Sequence, residues 1–538
     1  MTLRRRRAPF RSPVLALAVA ALPGFAVSAR PARSQPLSEV LAQTYTSNPT
    51  LLTARAQLRT VDENVPQALA GWRPTVSITS TAGAVDGRTR SLQQGYDPVE
   101  QRFFFQYPQI APSTNRVERS FATNTIVIQQ PVFRGGRTVA STRRAENQVL
   151  AQRARLLQTE QQVFQDTIQA YVNVIRDQEL LRLNINNEQV LTEQLRATSE
   201  RFRVGEITRT DVAQAESRLA AARASRTQAE GNVQISRGSF QRFVGYLPER
   251  LIAPQPLRVP LRTAEEAGQV AATNNPNVVA ALFDAAQARD NIDIQMSALL
   301  PQLTLQGQAF RNDNVLIPHT RQTGAQVTAN LTLPLYAGGG EYSAVRQARQ
   351  QAQQLRQAVD DQRRVATQQA FQAWEQYQAS RAQVDSQRAA IRASEIALDG
   401  VQREAIVGSR TTLEVLNQEQ ELLVNRTNLV QALATSVLQS YVVASAVGRL
   451  TAQDLGLDVE PYDMRAYYNA VRNRWGGLGD YSEPAREAEV RAVSNKVEPR
   501  REAAPQSAPE QQADVWAEPP QARPAPGFPA SPSTDGRT

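Results

Sequence analysis

The feature that most constrains the fold is a run without proline or glycine that covers residues 137–202. At 1.5 Å per residue it predicts a helix of roughly 100 Å, which is longer than any globular core. Apolar residues recur every seven positions, a spacing typical of helices packed side by side. They are Leu150, Leu157, Phe164 and Tyr171. The chain is therefore expected to form an elongated helical assembly.

The long helical run occurs twice in the chain. A similar run, with Gly400 as its single glycine and no proline, covers residues 341–406. Each run ends in a related bend, VGEITRTDV at 204–212 and VGSRTTLEV at 407–415. The bends lie 203 residues apart, and a Pro-x-[Phe/Tyr]-x-Gly-Gly motif before each run keeps that offset. Paired Asn-Pro motifs at 48–49 and 275–276 are instead 227 apart. The first repeat therefore carries 24 extra residues, which we expect in an exposed loop.

Between the repeated motifs the hydrophobic period is two. Val327, Ala329 and Leu331 alternate with polar residues, and Val76 with Ile78 does so in the first repeat. Such strands have one apolar and one polar face, and a length of about ten residues suits a tilted membrane strand. Four strands cannot close a barrel, and open edges are not tolerated in lipid, so several chains must contribute.

The two glycine-marked bends are interpreted as tips of two long helical hairpins. Each return helix should stack with a second short helix, so that two short helices pair with one long one. The second repeat would borrow its last helix, about residues 49–70, from the first. The predicted bounds are a signal peptide at 1–29, a first repeat at 30–261 (β-hairpin about 74–133, helical hairpin about 137–245), a second repeat at 262–450 (β-hairpin about 301–336, helical hairpin about 341–450), a C-terminal segment at 451–481 and a disordered Pro/Ala-rich tail at 482–538.

The N-terminus predicts export. Five arginines, at 4–7 and 11, precede an apolar stretch of 14 residues at 14–27, which ends in the Val-Ser-Ala of 27–29, the pattern of a secretory signal peptide. Its removal would take away five arginines and lower the formal charge from +9 to +4. No later stretch is expected to be a membrane helix, which leaves periplasmic, secreted and β-barrel proteins.

Composition excludes several chemistries. The chain has no cysteine and one histidine, His319, which argues against thiolate or histidine metal sites. Nothing nucleophilic or phosphate-cradling is apparent, so we expect no enzyme activity and no cofactor. The arginine-rich composition is weak evidence for nucleic acid, and none is expected as a partner.

Together, the paired Asn-Pro starts, Gly-Gly strand ends and Val-Gly-x-x-Thr tips resemble the TolC family of outer-membrane factors, over roughly residues 37–450. Tyr462-Asp463 and a following Trp475 also resemble members linked to type I secretion. The resemblance implies a mainly α-helical homotrimer in the outer membrane. A twelve-stranded β-barrel would join a periplasmic α-helical barrel. A periplasmic adaptor and an ABC or proton-driven inner-membrane pump would be partners, and drugs, toxins or proteins the cargo.

The resemblance also implies a gate at the tips. Asp211 corresponds to an acid on the first hairpin, held by Arg410 from a neighbouring chain, and Glu414 to an acidic ring. Ala405 and Asn417 depart from the family pattern, where a tyrosine and a second acid are common. The alternative is ordinary helix capping, since Asp and Thr are common near helix starts.

The tips are also the expected adaptor-docking positions: Val204, Gly205, Thr208, Val407, Gly408, Ser409 and Thr411. A rival interpretation is a periplasmic coiled-coil adaptor without a pore. Such a protein would also be exported and carry long helical hairpins, but it would lack two amphipathic β-hairpins.

Overall fold

The computed structural model describes residues 34–91, 94–97, 102–105, 113–315 and 319–479, and within these the chain is mainly helical, as predicted. The predicted signal peptide and Pro/Ala-rich tail lie outside the described residues. The helices are α1 (Leu37–Ser47), α2 (Pro49–Asp62), α3 (Asn64–Leu69), α4 (Arg137–Arg203), α5 (Arg209–Val244), α6 (Ala264–Asn274), α7 (Pro276–Met296), α8 (Gly340–Ile406), α9 (Thr412–Ala446) and α10 (Ala466–Val471). The strands are β1 (Ser34–Gln35), β2 (Thr75–Ser91), β3 (Gln94–Asp97), β4 (Arg102–Phe105), β5 (Ser113–Arg134), β6 (Arg250–Leu251), β7 (Gln302–Asp313) and β8 (Arg321–Thr332).

Four of the strands form one antiparallel sheet in the order β2-β5-β7-β8, so the two hairpins lie side by side. Register keeps the apolar residues on one face: Ile78 lies opposite Ile126, and Val327 opposite Gly307. Ile78 is 72% exposed and Val327 is 75% exposed, so one chain leaves this apolar face uncovered. The other face is rich in Thr, Ser and Gln. The edge strands of the sheet are β2 and β8.

The second hairpin ends earlier than the alternation suggested. The sequence pattern continued to Leu335, but β8 ends at Thr332, which pairs with the first residue of β7, Gln302. Alternation predicts which residues share a face, whereas a strand's end depends on how far its neighbour extends. Residues 333–335 have no opposing β7 residue.

The helical layer is four helices wide. The long helix α4 packs against α5 and α2 on one side and against α9 and α7 on the other, and α8 packs beyond α9 and α7. The predicted stacking is wrong in one respect. Helix α5 ends against α2, and α9 ends against α7, whereas the sequence interpretation stacked α5 on α7 and assigned 49–70 to the second hairpin.

An asparagine joins the two helices of each stack. Asn48 begins α2, accepts a hydrogen bond from the Thr50 amide at 2.9 Å and donates one to the Phe243 carbonyl of α5 at 2.9 Å. Asn275 does the same for α7 and α9, accepting from the Asn277 amide at 2.9 Å and donating to the Ala446 carbonyl at 3.1 Å. One buried amide thus satisfies an N-terminal donor and a C-terminal acceptor.

A left-handed glycine follows the last helical turn at each junction, and at the second junction it also allows a close backbone approach. Gly448 follows α9 with φ +80°, and an added Cβ would lie 2.5 Å from the Asn274 carbonyl oxygen. Gly245 follows α5 with φ +95°. The left-handed backbone ends each helix, and only glycine adopts it without steric cost.

The largest core lies where α1, α2, α4, α5 and α9 meet. Phe164, Tyr171 and Phe240 are fully buried there, and Leu450 closes the cluster from the C-terminal segment. The buried Glu160 holds that segment beside the core, because its carboxylate accepts a hydrogen bond from the Ala452 amide at 2.7 Å. Burial raises the pKa of Glu160.

The expectation that no later stretch is apolar enough for a membrane helix is wrong, because one helix meets that test in length and composition. Helix α9 contains an 18-residue window of mean hydropathy 1.3. Such a window also occurs in core helices of soluble proteins. Here α9 lies between α4 and α8, where Val437, Tyr441 and Val443 are buried. Within the described residues, 39% of that window is buried.

We expect the asparagine junction to stabilise the wall in two separable parts. Asn275→Ala removes the cap and the link to Ala446 and should lower the free energy of unfolding by about 1–2 kcal/mol. Asn275→Ser keeps a capping oxygen, but its side chain is too short to reach the Ala446 carbonyl. Its free energy of unfolding should therefore lie between those of Asn275→Ala and wild type. Urea unfolding monitored by the circular dichroism of the helices measures this ranking of stabilities. If both variants were as stable as wild type, the role given to the junction would be contradicted.

Candidate functional site

The two hairpin tips have the same backbone geometry. At the first, the Gly205 amide donates to the Phe202 carbonyl at 2.9 Å and the Glu206 amide to the Arg201 carbonyl at 2.9 Å. At the second, the Gly408 and Ser409 amides repeat this pattern. Both glycines are left-handed, at φ +80° and +78°. This is the Schellman ending, which reverses the chain in a few residues.

Asp211 caps the return helix of the first tip. Its carboxylate Oδ2 accepts the Thr208 backbone N–H at 3.0 Å and the Thr208 hydroxyl at 2.7 Å. Beside it, Arg201 Nε donates to the Glu206 carboxylate at 3.0 Å. This hydrogen bond raises the pKa of Arg201, and the charge of Asp211 contributes to the rise. Within one chain, Asp211 therefore has the capping role of the alternative interpretation, with Arg201 as a nearby cation.

Arg410 lies between two carboxylates of its own hairpin. Its Nε donates to Glu404 Oε2 at 2.9 Å, and a terminal nitrogen donates to Glu414 Oε2 at 2.8 Å. The pair lowers the pKa of Glu414 and raises that of Arg410. The Glu414 amide is in turn capped by the Thr411 hydroxyl at 3.3 Å. Arg410 and Glu414 are thus brought together, whereas Asp211 contacts neither within one chain.

The two hairpins of one chain are joined just above the tips. Arg218 on α5 donates to the Asn417 side-chain oxygen on α9 at 2.9 Å. Behind it, Leu416 of α9 is buried with Leu191 and Leu219 of the first hairpin. The neutral side-chain oxygen of Asn417 thus accepts a hydrogen bond from a cationic side chain of the neighbouring hairpin.

The ends of both tips are apolar and exposed. Val204 is 77% exposed, Ile406 83% and Val407 78%. These side chains surround the left-handed glycines, and Thr208 and Thr411 begin the return helices below them. Such surfaces are suited to a partner with matching apolar groups, although a hairpin end exposes some apolar surface in any case.

Sequence reasoning missed Glu404 and the Arg218–Asn417 contact. Glu404 lies six residues before Arg410 and meets it only because the Schellman turn folds the chain back. Arg218 and Asn417 come from different hairpins, so no spacing along the chain relates them. Among the described residues, no group of three or more His, Asp or Glu side chains is placed to hold a metal ion.

The profile of the family described as outer membrane efflux protein matches residues 40–245 and 267–449. The chain is 32% identical over 465 residues to the outer membrane efflux protein BepC of Brucella suis biovar 1, covering 86% of this chain and 96% of that protein. It is 25% identical over 442 residues to the outer membrane protein TolC of Vibrio cholerae serotype O1, covering 78% and 92%.

Among solved structures, the CmeC outer membrane channel of Campylobacter jejuni is similar with a TM-score of 0.66. It is 14% identical and covers 81% of this chain and 89% of that one. At this identity the likeness shows a common fold.

The Arg410–Glu414 pair predicts a pH dependence of tip order. The folded pKa of Glu414 is below its unfolded value of roughly 4.3, so its stabilising contribution is present above that value and is lost as the pH falls through the lowered one. Hydrogen exchange of peptides spanning residues 404–416, corrected for intrinsic rates, should show protection that is lost only at pH values below the ordinary titration range of a glutamate.

The matched comparison is Arg410→Gln with Arg403→Gln, an exposed arginine one helical turn or more before the tip. Arg410→Gln should raise the pH at which protection is lost, and Arg403→Gln should not. The same profile in wild type and both variants would show that Glu414 titrates without influence on the tip.

Proposed function

Because the chain belongs to the outer membrane efflux protein family, we propose that it forms the exit duct of an efflux or secretion system. Like the family, it is an outer-membrane channel protein with its helical part in the periplasm, and not an enzyme. The observation that carries the proposal is the sheet with one apolar and one polar face, continued by helices of 67 residues. The coiled-coil adaptor alternative is set aside.

The proposed assembly is a homotrimer. The sheet has edge strands β2 and β8, and the helical layer has α5 with α2 at one side and α8 at the other. An edge strand cannot remain unpaired in lipid, because its backbone groups would lose water without gaining partners. Three copies joined edge to edge would give twelve strands, with the apolar face to lipid and the Thr/Gln face to the lumen.

The proposed gate is at the hairpin tips. Three-fold symmetry would place three copies of Asp211 and of Glu414 around one axis. Like charges at a narrow opening repel, so the closed state needs cations between them. For Arg410 to hold Asp211 of a neighbour, it would have to share its guanidinium with Glu404 and Glu414, which already bind it.

This sharing implies a gate that is easily rearranged. All three of these side chains are 40% exposed or more, so water screens each pair and none alone fixes the closed state. An adaptor that binds Val204–Thr208 and Val407–Thr411 could shift the balance toward the open state. Carboxylates left unpaired there would favour cations.

The proposed partners are a periplasmic adaptor and an inner-membrane pump. The exposed apolar residues at the tips support adaptor docking. A type I secretion role stays a prediction, based on the C-terminal Tyr-Asp and Trp475 pattern. A secretion or drug-susceptibility assay of a deletion strain distinguishes protein cargo from drugs.

Single-channel conductance in planar bilayers tests the proposed function and gate. We expect a small, cation-preferring conductance that rises several-fold in Arg410→Ala, because its removal frees the acidic rings to repel. Asp211→Asn keeps an oxygen for the cap but removes the carboxylate that Arg410 would hold across the boundary between chains. A similar rise would therefore assign the closed state to the Arg410–Asp211 pair, whereas a rise in Arg410→Ala alone would assign it to neutralisation of the acidic rings.

The control is Arg403→Ala, which removes an exposed arginine paired with Asp399 in α8 and should leave conductance unchanged. Equal conductance in all four proteins would remove the gate and leave the channel. Absence of any conductance would overturn the channel itself.

A further inference from the structure

An apolar groove lies on one face of the helical layer, bounded by α4, α8, the C-terminal half of α9 and the connection after β6. Its volume is about 690 Å³, within the range of small-molecule pockets. Its floor is made of aliphatic side chains from the three helices. They include Val172, Ile175, Val384, Leu429, Leu433 and Val437.

The end wall of the groove is fixed in place. It is formed by residues 253–256, a stretch with prolines at 254 and 256. Just before it, the buried Tyr171 hydroxyl donates to the Ile252 carbonyl at 2.7 Å and accepts the Ile252 amide at 3.0 Å. Just after it, the Leu257 amide donates to the buried Ser440 hydroxyl at 2.9 Å. The groove is therefore preformed.

The rim carries one charge that the chain does not compensate. Arg381 packs 5.8 Å over the Tyr377 ring, and within the described residues no carboxylate lies within 4.0 Å of its guanidinium. The other charged groups of the rim are paired within the chain: Arg176 with Asp177, Glu179 with Arg182, and Asp385 with Arg388. A single guanidinium thus lies beside an aliphatic floor.

We propose that this groove binds a small amphiphilic carboxylate, with the carboxylate on Arg381 and the aromatic or aliphatic tail on the floor. A guanidinium pairs with a carboxylate through two parallel hydrogen bonds, and the tail loses contact with water. Neutral amphiphiles gain only the removal of the tail from water, and cationic ones are repelled by Arg381. The site is on the wall of the duct and separate from the tips, so it adds a ligand to the proposed channel.

Photolabelling with 4-benzoylbenzoate tests the site in the purified full-length protein. The probe has one carboxylate and a photoreactive diaryl ketone tail, and mass spectrometry locates the labelled peptides. We expect saturable labelling within residues 377–388 and 429–437. Arg381→Gln should weaken it about tenfold, the effect of losing a charge-assisted hydrogen bond.

The control is Arg392→Gln, an exposed arginine three turns further along the same face of α8 and outside the groove, which should label like wild type. Leu433→Glu adds a carboxylate to the floor at a 40% exposed position and should abolish labelling. The neutral 4-benzoylbenzamide should label weakly. Unchanged labelling in Arg381→Gln, or equal labelling by the amide, would overturn the proposal.

A second measurement tests other occupants. With p-benzoylphenylalanine in place of Leu433, irradiation without ligand should give adducts only with the groove's own helices. An adduct with residues after 479, or with a second copy of the chain, would show that protein covers the groove and would overturn ligand binding there.

Discussion

Backbone hydrogen bonding at the edges of the β-sheet is the constraint on which the rest of the structure depends. An apolar face that runs in register across β2, β5, β7 and β8 is stable only against lipid, and in lipid the edge strands must be paired. A single chain provides the apolar face, and β2 and β8 are the edge strands of its sheet. In the proposed assembly, other copies would pair them. Edge pairing requires a closed assembly of several copies, and the family likeness makes three the proposed number.

The wall is continuous because helix ends are satisfied within it. Each stack of two short helices would leave unpaired amides and carbonyls halfway along a long helix. Asn48 and Asn275 each satisfy one such amide and one such carbonyl. Gly245 and Gly448 supply the left-handed backbone that ends the helix, and Gly448 also avoids a clash with the Asn274 carbonyl. The tips use the same chemistry without burial: a left-handed glycine ends one helix and an acidic side chain helps begin the next. In the proposed gate, function would depend on exposed charges at the tips, whereas stability is expected to depend on the buried junctions.

Much of this was predictable because it is periodic. The seven-residue spacing identified the long helices, the alternation at 327–331 identified the faces of β8, and the paired Val-Gly motifs located both turns. Alternation could not give the end of β8, because its partner strand determines it. Nor could the sequence give the helix stacking, since Asn48 reaches Phe243 across 195 residues. The Arg218–Asn417 contact and the groove at Arg381 were missed for the same reason: both join helices that no local spacing relates.

Native mass spectrometry of the purified full-length protein, released gently from detergent, tests the central claim most directly. The account requires edge strands to be paired by other copies and predicts a mass three times that of the mature chain. The trimer should persist until the sheet itself unfolds. A monomer that keeps its sheet and remains in the membrane would contradict the account, because its edge strands would then be stable in lipid without partners.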